Sequence, residues 1–440
     1  MVNIAKALGI LAGALSLGAL GSAAHAQKLP FERVLEDDAV QVMAAQWTPQ
    51  TARRVIPPRP AESFEWPTEY AQQLLELVIS VGAEGLDPAD YKPDELRSAI
   101  LEGESLHLDN VAGAVFTWIV QDLRDGRTPM EARRSYLVDD PDSQLLPIGP
   151  LMEQALASGD IAGAIQSVSP AHPDYAALRA ALAATPLEEI ERRNAIRANM
   201  DRWRWLPRDL GGIHLLANVP EYRLQLSVNG RTVRNYRTIV GKPGRSATPQ
   251  MLESVEGLIF NPTWTVPQSI VVGEGLGRRV LNNPNWARAR GYRATRGDNG
   301  YISVVQQPGP QNALGGMKLD MPNNQAIFLH DTNARNLFGN EQQALSHGCI
   351  RVEDALELAV TLGLLHQSLT PDEAREHLTS GKYTRVPLSS EIPVYITYFT
   401  MGLNEDGELV EFADIYERDA PVLASFEAPS DRKLLMVAGL

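Results

Sequence analysis

The spacing of apolar and polar positions changes once along this 440-residue chain, near Trp203. Before that point, apolar residues recur three and four apart. This predicts helices over Glu69–Val81, Pro93–Leu101, Val111–Leu123 and Tyr175–Ala184. Gly85-Leu86-Asp87-Pro88, Asp125-Gly126-Arg127 and Pro147-Ile148-Gly149-Pro150 read as turns between them, and Gly159–Ala171 as a loop-rich exit. Beyond Trp203 the apolar runs become short, β-rich and bounded by Gly, Pro or Asn: His214–Val219, Tyr222–Val228, Thr232–Val240, Gly257–Phe260 and Ala326–His330. Asn229-Gly230 marks a tight hairpin. A helical period returns after Cys349, at Val352, Ala355, Leu356, Ala359, Val360 and Leu362. Pro393–Phe399 then predicts one more strand, with its proline first, where a strand tolerates one. The pattern gives an α+β chain: a helical domain over 27–190, a mainly-β domain over 198–400, and an extension over 401–440. The tail from about residue 420 is expected to pack back on the helical part.

The first 26 residues have a different character. Lys6 precedes an apolar run from Ala7 to Leu20, which ends in Ala24-His25-Ala26. A positive start, an apolar centre and a small-x-small end predict a secretory signal peptide cleaved before Gln27. The alternative is an uncleaved anchor, for which the run is short, since a spanning helix needs about 20 residues. Export implies the periplasm, and no other segment reads as a membrane span. Loss of Lys6 takes the net charge from −14 to −15. That balance argues against nucleic acid, whose recognition rests on neutralising phosphates, and leaves room only for local attraction of an anionic substrate.

Cys349 is the only cysteine. An exported chain meets oxidising conditions, and a thiol there that cannot pair within the chain either has a task or is buried and inert. Its neighbours favour a task. Ser346-His347-Gly348-Cys349-Ile350-Arg351 is predicted to sit where a loop ends and a helix begins. Free N–H groups and a partial positive charge would favour a thiolate at such a place and could hold an oxyanion. A cysteine nucleophile needs a proton acceptor. His347 and His330 are the candidates, the latter at the end of the strand Ala326–His330. His330, Asp331, His347 and Cys349 are also ligand types that zinc accepts, but the spacing matches no zinc motif.

His330-Asp331-Thr332, followed after a short gap by Ser346-His347-Gly348-Cys349-Ile350-Arg351, closely resembles the signature of YkuD-type L,D-transpeptidases. Asn199–Pro207, Asn261–Pro267, Pro310–Gly315 and Lys318 are similar to stretches of the large Gram-negative members. Gly85–Tyr91 and Asp122–Arg127 are similar to those members' helical scaffold domain. The resemblance implies a helical scaffold domain followed by a mainly-β catalytic domain. Cys349 would attack the third residue of a peptidoglycan stem peptide, with His330 passing a proton to the departing D-Ala. An amine of a second stem would then resolve the thioester into a 3→3 crosslink. By the same resemblance Ser346, His347, Gly348 and Arg351 shape the site, Asp331 helps hold His330, and no metal or other cofactor is needed. Large members usually carry a small peptidoglycan-binding domain before the catalytic one. Here only Ala176–Ala198 lies in that position, which is too short for such a domain.

Arg278, Arg279, Arg288, Arg290, Arg293 and Arg296 crowd one Gly- and Asn-rich stretch of an acidic chain. The resemblance places a lid insertion here, about 271–310. Trp264, Arg288, Arg290 and Arg293 are then candidate contacts for the carboxylates of the stem peptide; the alternative is a solvated loop. The motif does not select the acceptor. A stem-peptide amine, an envelope protein or water would each use the same acyl-enzyme, and a non-catalytic wall-binding scaffold is the remaining class.

Overall fold

The computed structural model describes residues 64–138 and 142–428, with Ser430, Arg432 and Leu434. The expected signal peptide lies outside the described residues. No helix among them is long and apolar enough to cross a membrane.

Helices Thr68–Ser80, Pro93–Glu102, Leu106–Asp125, Ile148–Ser158 and Ile161–Gln166 share one core, built on Trp66, Leu74, Leu96, Phe116 and Ile119. Two of them differ from the sequence reading. Pro147–Pro150 was expected to be a turn, but it opens a helix, because prolines are tolerated in a first turn whose N–H groups have no partner. Gly159–Ala171 contains the helix Ile161–Gln166, started by Asp160, whose carboxylate accepts from Gly163 N at 2.7 Å. Helices Pro173–Ala184 and Ile190–Arg204 lead into the β region. Between them they occupy most of the Ala176–Ala198 span.

The strands are β1 (Tyr136–Leu137), β2 (Ile213–Asn218), β3 (Arg223–Val228), β4 (Arg231–Gly241), β5 (Gln250–Phe260), β6 (Trp264–Thr265), β7 (Tyr292–Arg296), β8 (Ile302–Gln306), β9 (Met317–Asp320), β10 (Leu329–His330), β11 (Ala344–Ser346), β12 (Ile350–Val352), β13 (Thr384–Thr397), β14 (Met401–Leu403) and β15 (Leu409–Glu411). The main sheet runs β1-β5-β13-β2-β3-β4-β12-β10-β9, and a β5–β9 pairing closes it on itself. Asn229 and Gly230 both have positive φ, as the β3–β4 hairpin requires. Inside the sheet, Leu226, Leu258, Phe260, Leu319, Leu329 and Ile350 meet Leu358 and Leu362 of helix Ala355–Leu365.

The segment between β5 and β9 is a small unit with its own core of Val266, Val271, Val280, Ala287 and Val304. It consists of the sheet β6-β8-β7, a π-helical turn at Ser269–Gly273, and helices Leu276–Asn282 and Pro284–Ala289. At the other end of the chain, helix Asp419–Glu427 and Arg432 lie back against the helical region, where Arg432 Nη2 reaches Asp122 at 2.5 Å. The architecture is therefore a helical N-terminal region followed by a mainly-β domain.

Candidate active site

Three short strands carry the candidate residues. Lys318 of β9 pairs with His330 of β10, and His330 pairs with Arg351 of β12. Directly paired residues project to the same face of a sheet, so these three side chains form one row. Leu319, Leu329 and Ile350 alternate with them and fill the core behind. Cys349 lies two residues before Arg351. With His330, Arg351, Ser346 and His347 it lines a cavity of about 580 Å³. Cys349 is half-buried, and its thiol lies 3.5 Å from the Ala326 carbonyl.

The expected helix start at the motif is not there. Cys349 leads directly into β12, and the helix begins only at Ala355. The apolar period of the helix extends back in the sequence to Val352, which is instead a buried strand residue. The thiol therefore has no helix terminus to lower its pKa. Burial pushes it up, while the Phe328 backbone amide and the charges of Lys318 and Arg351 act to lower it. The expected strand Ala326–His330 is also shorter. Asn323 accepts from the amides of Gln325 and Ile327 and donates to the carbonyls of Met321 and Ile327. These bonds tie 323–327 into a turn and leave only Leu329–His330 as strand.

His330 is buried, with Nδ1 2.5 Å from the Asp331 carbonyl. A carbonyl only accepts, so Nδ1 carries the hydrogen and Nε2 the lone pair. Burial, with the nearby charges of Arg351 and Lys318, pushes the His330 pKa down to about 3, so the ring is neutral at pH 7. Asp331 thus orients His330 through its backbone. Its carboxylate accepts from Gly316 N at 2.8 Å and pairs with Arg335 at 3.0 Å. Ser346 Oγ donates to the Cys349 carbonyl at 2.6 Å and accepts from Gly348 N at 3.1 Å, closing the turn. The Gly348 amide is therefore engaged and is not a free oxyanion donor. Gly348 has φ +120°, and a Cβ there would lie 3.1 Å from Ile327 Cδ1, so the position favours glycine. His347 is half-exposed, and its Nε2 meets Glu274 Oε1 of the inserted unit at 2.6 Å. No three His, Cys, Asp or Glu side chains gather as a metal-binding group among the described residues.

Trp264 lines the cavity, but Arg288, Arg290 and Arg293 do not; of the arginines between 278 and 296, Arg279 does. Strand alternation explains part of this, since Tyr292 and Ala294 of β7 turn to the small core and Arg293 turns to solvent. Arg290 lies over the Trp286 ring at 4.9 Å, and Arg279 over the same ring at 4.2 Å. Sequence reasoning did not assign site roles to Glu274, Arg279, Lys318 or Thr248. Thr248 Oγ1 is fully buried; it donates to the Gly348 carbonyl at 2.8 Å and accepts from Gly241 N at 2.9 Å. Lys318 was legible only as part of the resemblance. No local pattern announces Thr248, which lies 100 residues before the turn it supports.

Residues 212–377 match the L,D-transpeptidase catalytic domain family, YkuD, and residues 62–182 match the Scaffold domain family. The chain thus carries a YkuD L,D-transpeptidase catalytic domain preceded by a Scaffold domain. A Haemophilus influenzae protein named "Putative L,D-transpeptidase" is 33% identical over 239 residues, which is 51% of this chain and 48% of that protein, so the match spans about half of either. Among solved structures, an L,D-transpeptidase from Mycobacterium smegmatis is 14% identical, with 42% of this chain and 58% of that chain covered, at a TM-score of 0.22. L,D-transpeptidase 1 from Mycobacterium tuberculosis is 13% identical, with 42% and 61% covered, at 0.19. Overlap at that level defines no further feature of this chain.

Proposed function

We propose that this protein is a periplasmic cysteine L,D-transpeptidase that forms 3→3 crosslinks between peptidoglycan stem peptides. The observation that carries the reading is the placement of Cys349 and His330 on one cavity, with His330 held so that Nε2 is its free lone pair. The Cys349 sulfur attacks the carbonyl of the third stem residue, and its proton passes to His330 Nε2. A carbon–sulfur bond forms, the bond to the terminal D-Ala nitrogen breaks, and the departing amine takes the proton from His330. The side-chain amine of a second stem then attacks the thioester. A new amide forms, and the sulfur leaves and regains a proton through the same imidazole. Ser346 and Gly348 shape the turn that presents the sulfur. Arg351 lies beside it, and Trp264 walls the donor side. The N-terminal 26 residues serve export, and 198–400 is the catalytic unit, with its lid over the cavity.

The test is a pair of measurements. Cys349→Ala should abolish crosslinking while leaving the circular dichroism and melting temperature unchanged. Incubation with a carbapenem should add one drug mass to the intact protein, on the peptide that carries Cys349. Crosslinking retained by Cys349→Ala would end the mechanism. Mass spectrometry of wall fragments identifies the acceptor, and free tripeptides or a wall-linked protein in place of 3→3 dimers would replace the stem amine with water or an envelope protein.

A further inference from the structure

Lys318 is a charged group beside the catalytic pair that the proposed mechanism does not use. Lys318 sits on β9 directly beside His330 in the row Lys318–His330–Arg351, half-buried, its ammonium 4.0 Å from the centre of the Phe328 ring. Phe328 lines the cavity with Cys349 and meets the His330 ring edge-on at 5.5 Å. The ammonium is thus held against the ring of Phe328, a cavity-lining residue, on a strand whose register sets Lys318 beside His330. We propose that Lys318 is a positioning residue that holds the Cys349 sulfur as thiolate, supplying the positive counter-charge that a neutral His330 does not.

The surroundings support that division of labour. A thiolate at Cys349 needs a cation, and a helix terminus is not available. His330 is a poor cation, since it is buried between two positive neighbours, and both of them act to keep it neutral. The other charged groups facing Cys349 are Arg351 on its own strand and His347, Glu274 and Arg279 around the cavity. Glu274 is paired with His347. Behind the row, Asp320 is closed by Arg385 at 2.5 Å and Asp331 by Arg335. Arg279 is turned onto the Trp286 ring, and the cations whose charge acts on the sulfur are Lys318 and Arg351. The interaction is mutual, since burial lowers the Lys318 pKa while the charge of Asp320 and then that of Cys349 act to raise it. On ionisation the thiol proton leaves the sulfur through His330 Nε2, and the departing amine draws its proton back through the same nitrogen, so the ionised site is thiolate, neutral imidazole and ammonium.

The inference rests on Cys349 being the nucleophile, but its test needs no peptidoglycan. The full chain is alkylated with iodoacetamide across pH 5 to 10, and the rate is read by mass at the Cys349 peptide. Lys318→Met and Lys318→Gln should each move the midpoint of that profile upward by about one pH unit, the effect expected on losing a nearby opposite charge. Lys318→Arg should keep it near the wild-type value. A folded Lys318→Met or Lys318→Gln protein with an unmoved midpoint overturns the proposal and leaves Lys318 as a packing residue on Phe328. Loss of the fold in both neutral variants also overturns it, by making the role structural. Either failure leaves the transpeptidase reading standing, because that reading stands or falls with crosslinking by Cys349→Ala.

Discussion

The turn that presents Cys349 is tied to strand β4 by the hydroxyl of Thr248. Thr248 Oγ1 bridges the Gly348 carbonyl and the Gly241 amide, and Tyr416 donates from its hydroxyl to the Gly241 carbonyl at 2.5 Å. Thr248→Val keeps the shape but leaves two buried backbone groups unpaired, which costs roughly 1–3 kcal/mol each. The expected result is a lower denaturation midpoint and slower alkylation of Cys349, with Thr248→Ser restoring both; normal alkylation in a destabilised Thr248→Val would separate the turn from the thiol. The buried histidines carry a second expectation. His330 and His366 have pKa values pushed down to about 3 and about 4 by burial, against about 6.5 when unfolded. Above pH 6.5 both are neutral in either state and contribute nothing. Below it the unfolded chain takes up protons that the folded chain refuses, so stability falls by up to about 1.4 kcal/mol per pH unit for each histidine, until pH approaches 4 and then 3. Denaturant titrations at pH 7 and 5 read this directly, and His366→Asn should flatten the slope. The motif residues were legible because they are contiguous in the chain and chemically unusual together. Thr248, Tyr416 and Lys318 were not assigned because register and folding, rather than sequence proximity, bring them to the turn.

At the level of elements, the inserted unit shows what composition can and cannot locate. Six arginines in one stretch were visible in the sequence, but which of them faces the cavity depends on how Leu276–Asn282 and β7 are turned. Helix Leu276–Asn282 buries Gly277 and Val280 and places Arg279 on the cavity wall, flat against Trp286. Packing against an aromatic face fixes a guanidinium without neutralising it, which suits a carboxylate contact. Arg279→Gln should therefore raise KM for stem peptides several-fold, in line with an exposed charge contact of about 0.2–1 kcal/mol. The triple change of Arg288, Arg290 and Arg293 to Gln should have a smaller effect. Steady-state kinetics at low and high salt separates the two, because screening at physiological ionic strength acts over about 8 Å. An equal or larger effect of the triple change would put the whole basic face, and not Arg279, in contact with substrate. The misplaced helix start at Cys349 has the same origin: β12 is three residues long, and an apolar period that begins inside it reads as one helix.

Across the whole molecule, helix Ile190–Arg204 joins the two halves, and it is the element that periodicity describes worst. Its Asn199, Asp201, Arg202 and Arg204 are all buried, so polar residues stand where a core-facing helix would carry apolar ones. They are buried because each side of the helix meets a different partner. Asp201 accepts from the Arg127 and Thr128 amides at 2.7 and 3.1 Å, at the end of the helical region, and from Trp205 Nε1 at 3.1 Å. Asn199 bonds the amide and hydroxyl of Thr400, and Arg202 pairs with Asp419 at 2.5 Å, both in the segment after β13. That segment continues to Tyr416 and Arg418, and Arg418 donates to the Thr248 carbonyl at 2.9 Å, immediately behind the turn that carries Cys349. A bonded path therefore runs from the helical region to the motif through one polar helix. Asp201→Ala would leave four donors unpaired, the buried Arg204 Nη1 among them, a loss on the order of 3 kcal/mol or more. Calorimetry should show one transition in the native protein and a lower one in the variant, with helical and β signals still melting together. If the β signal instead keeps its native midpoint while the helical signal melts early, the two halves are independent and the polar helix does not couple them.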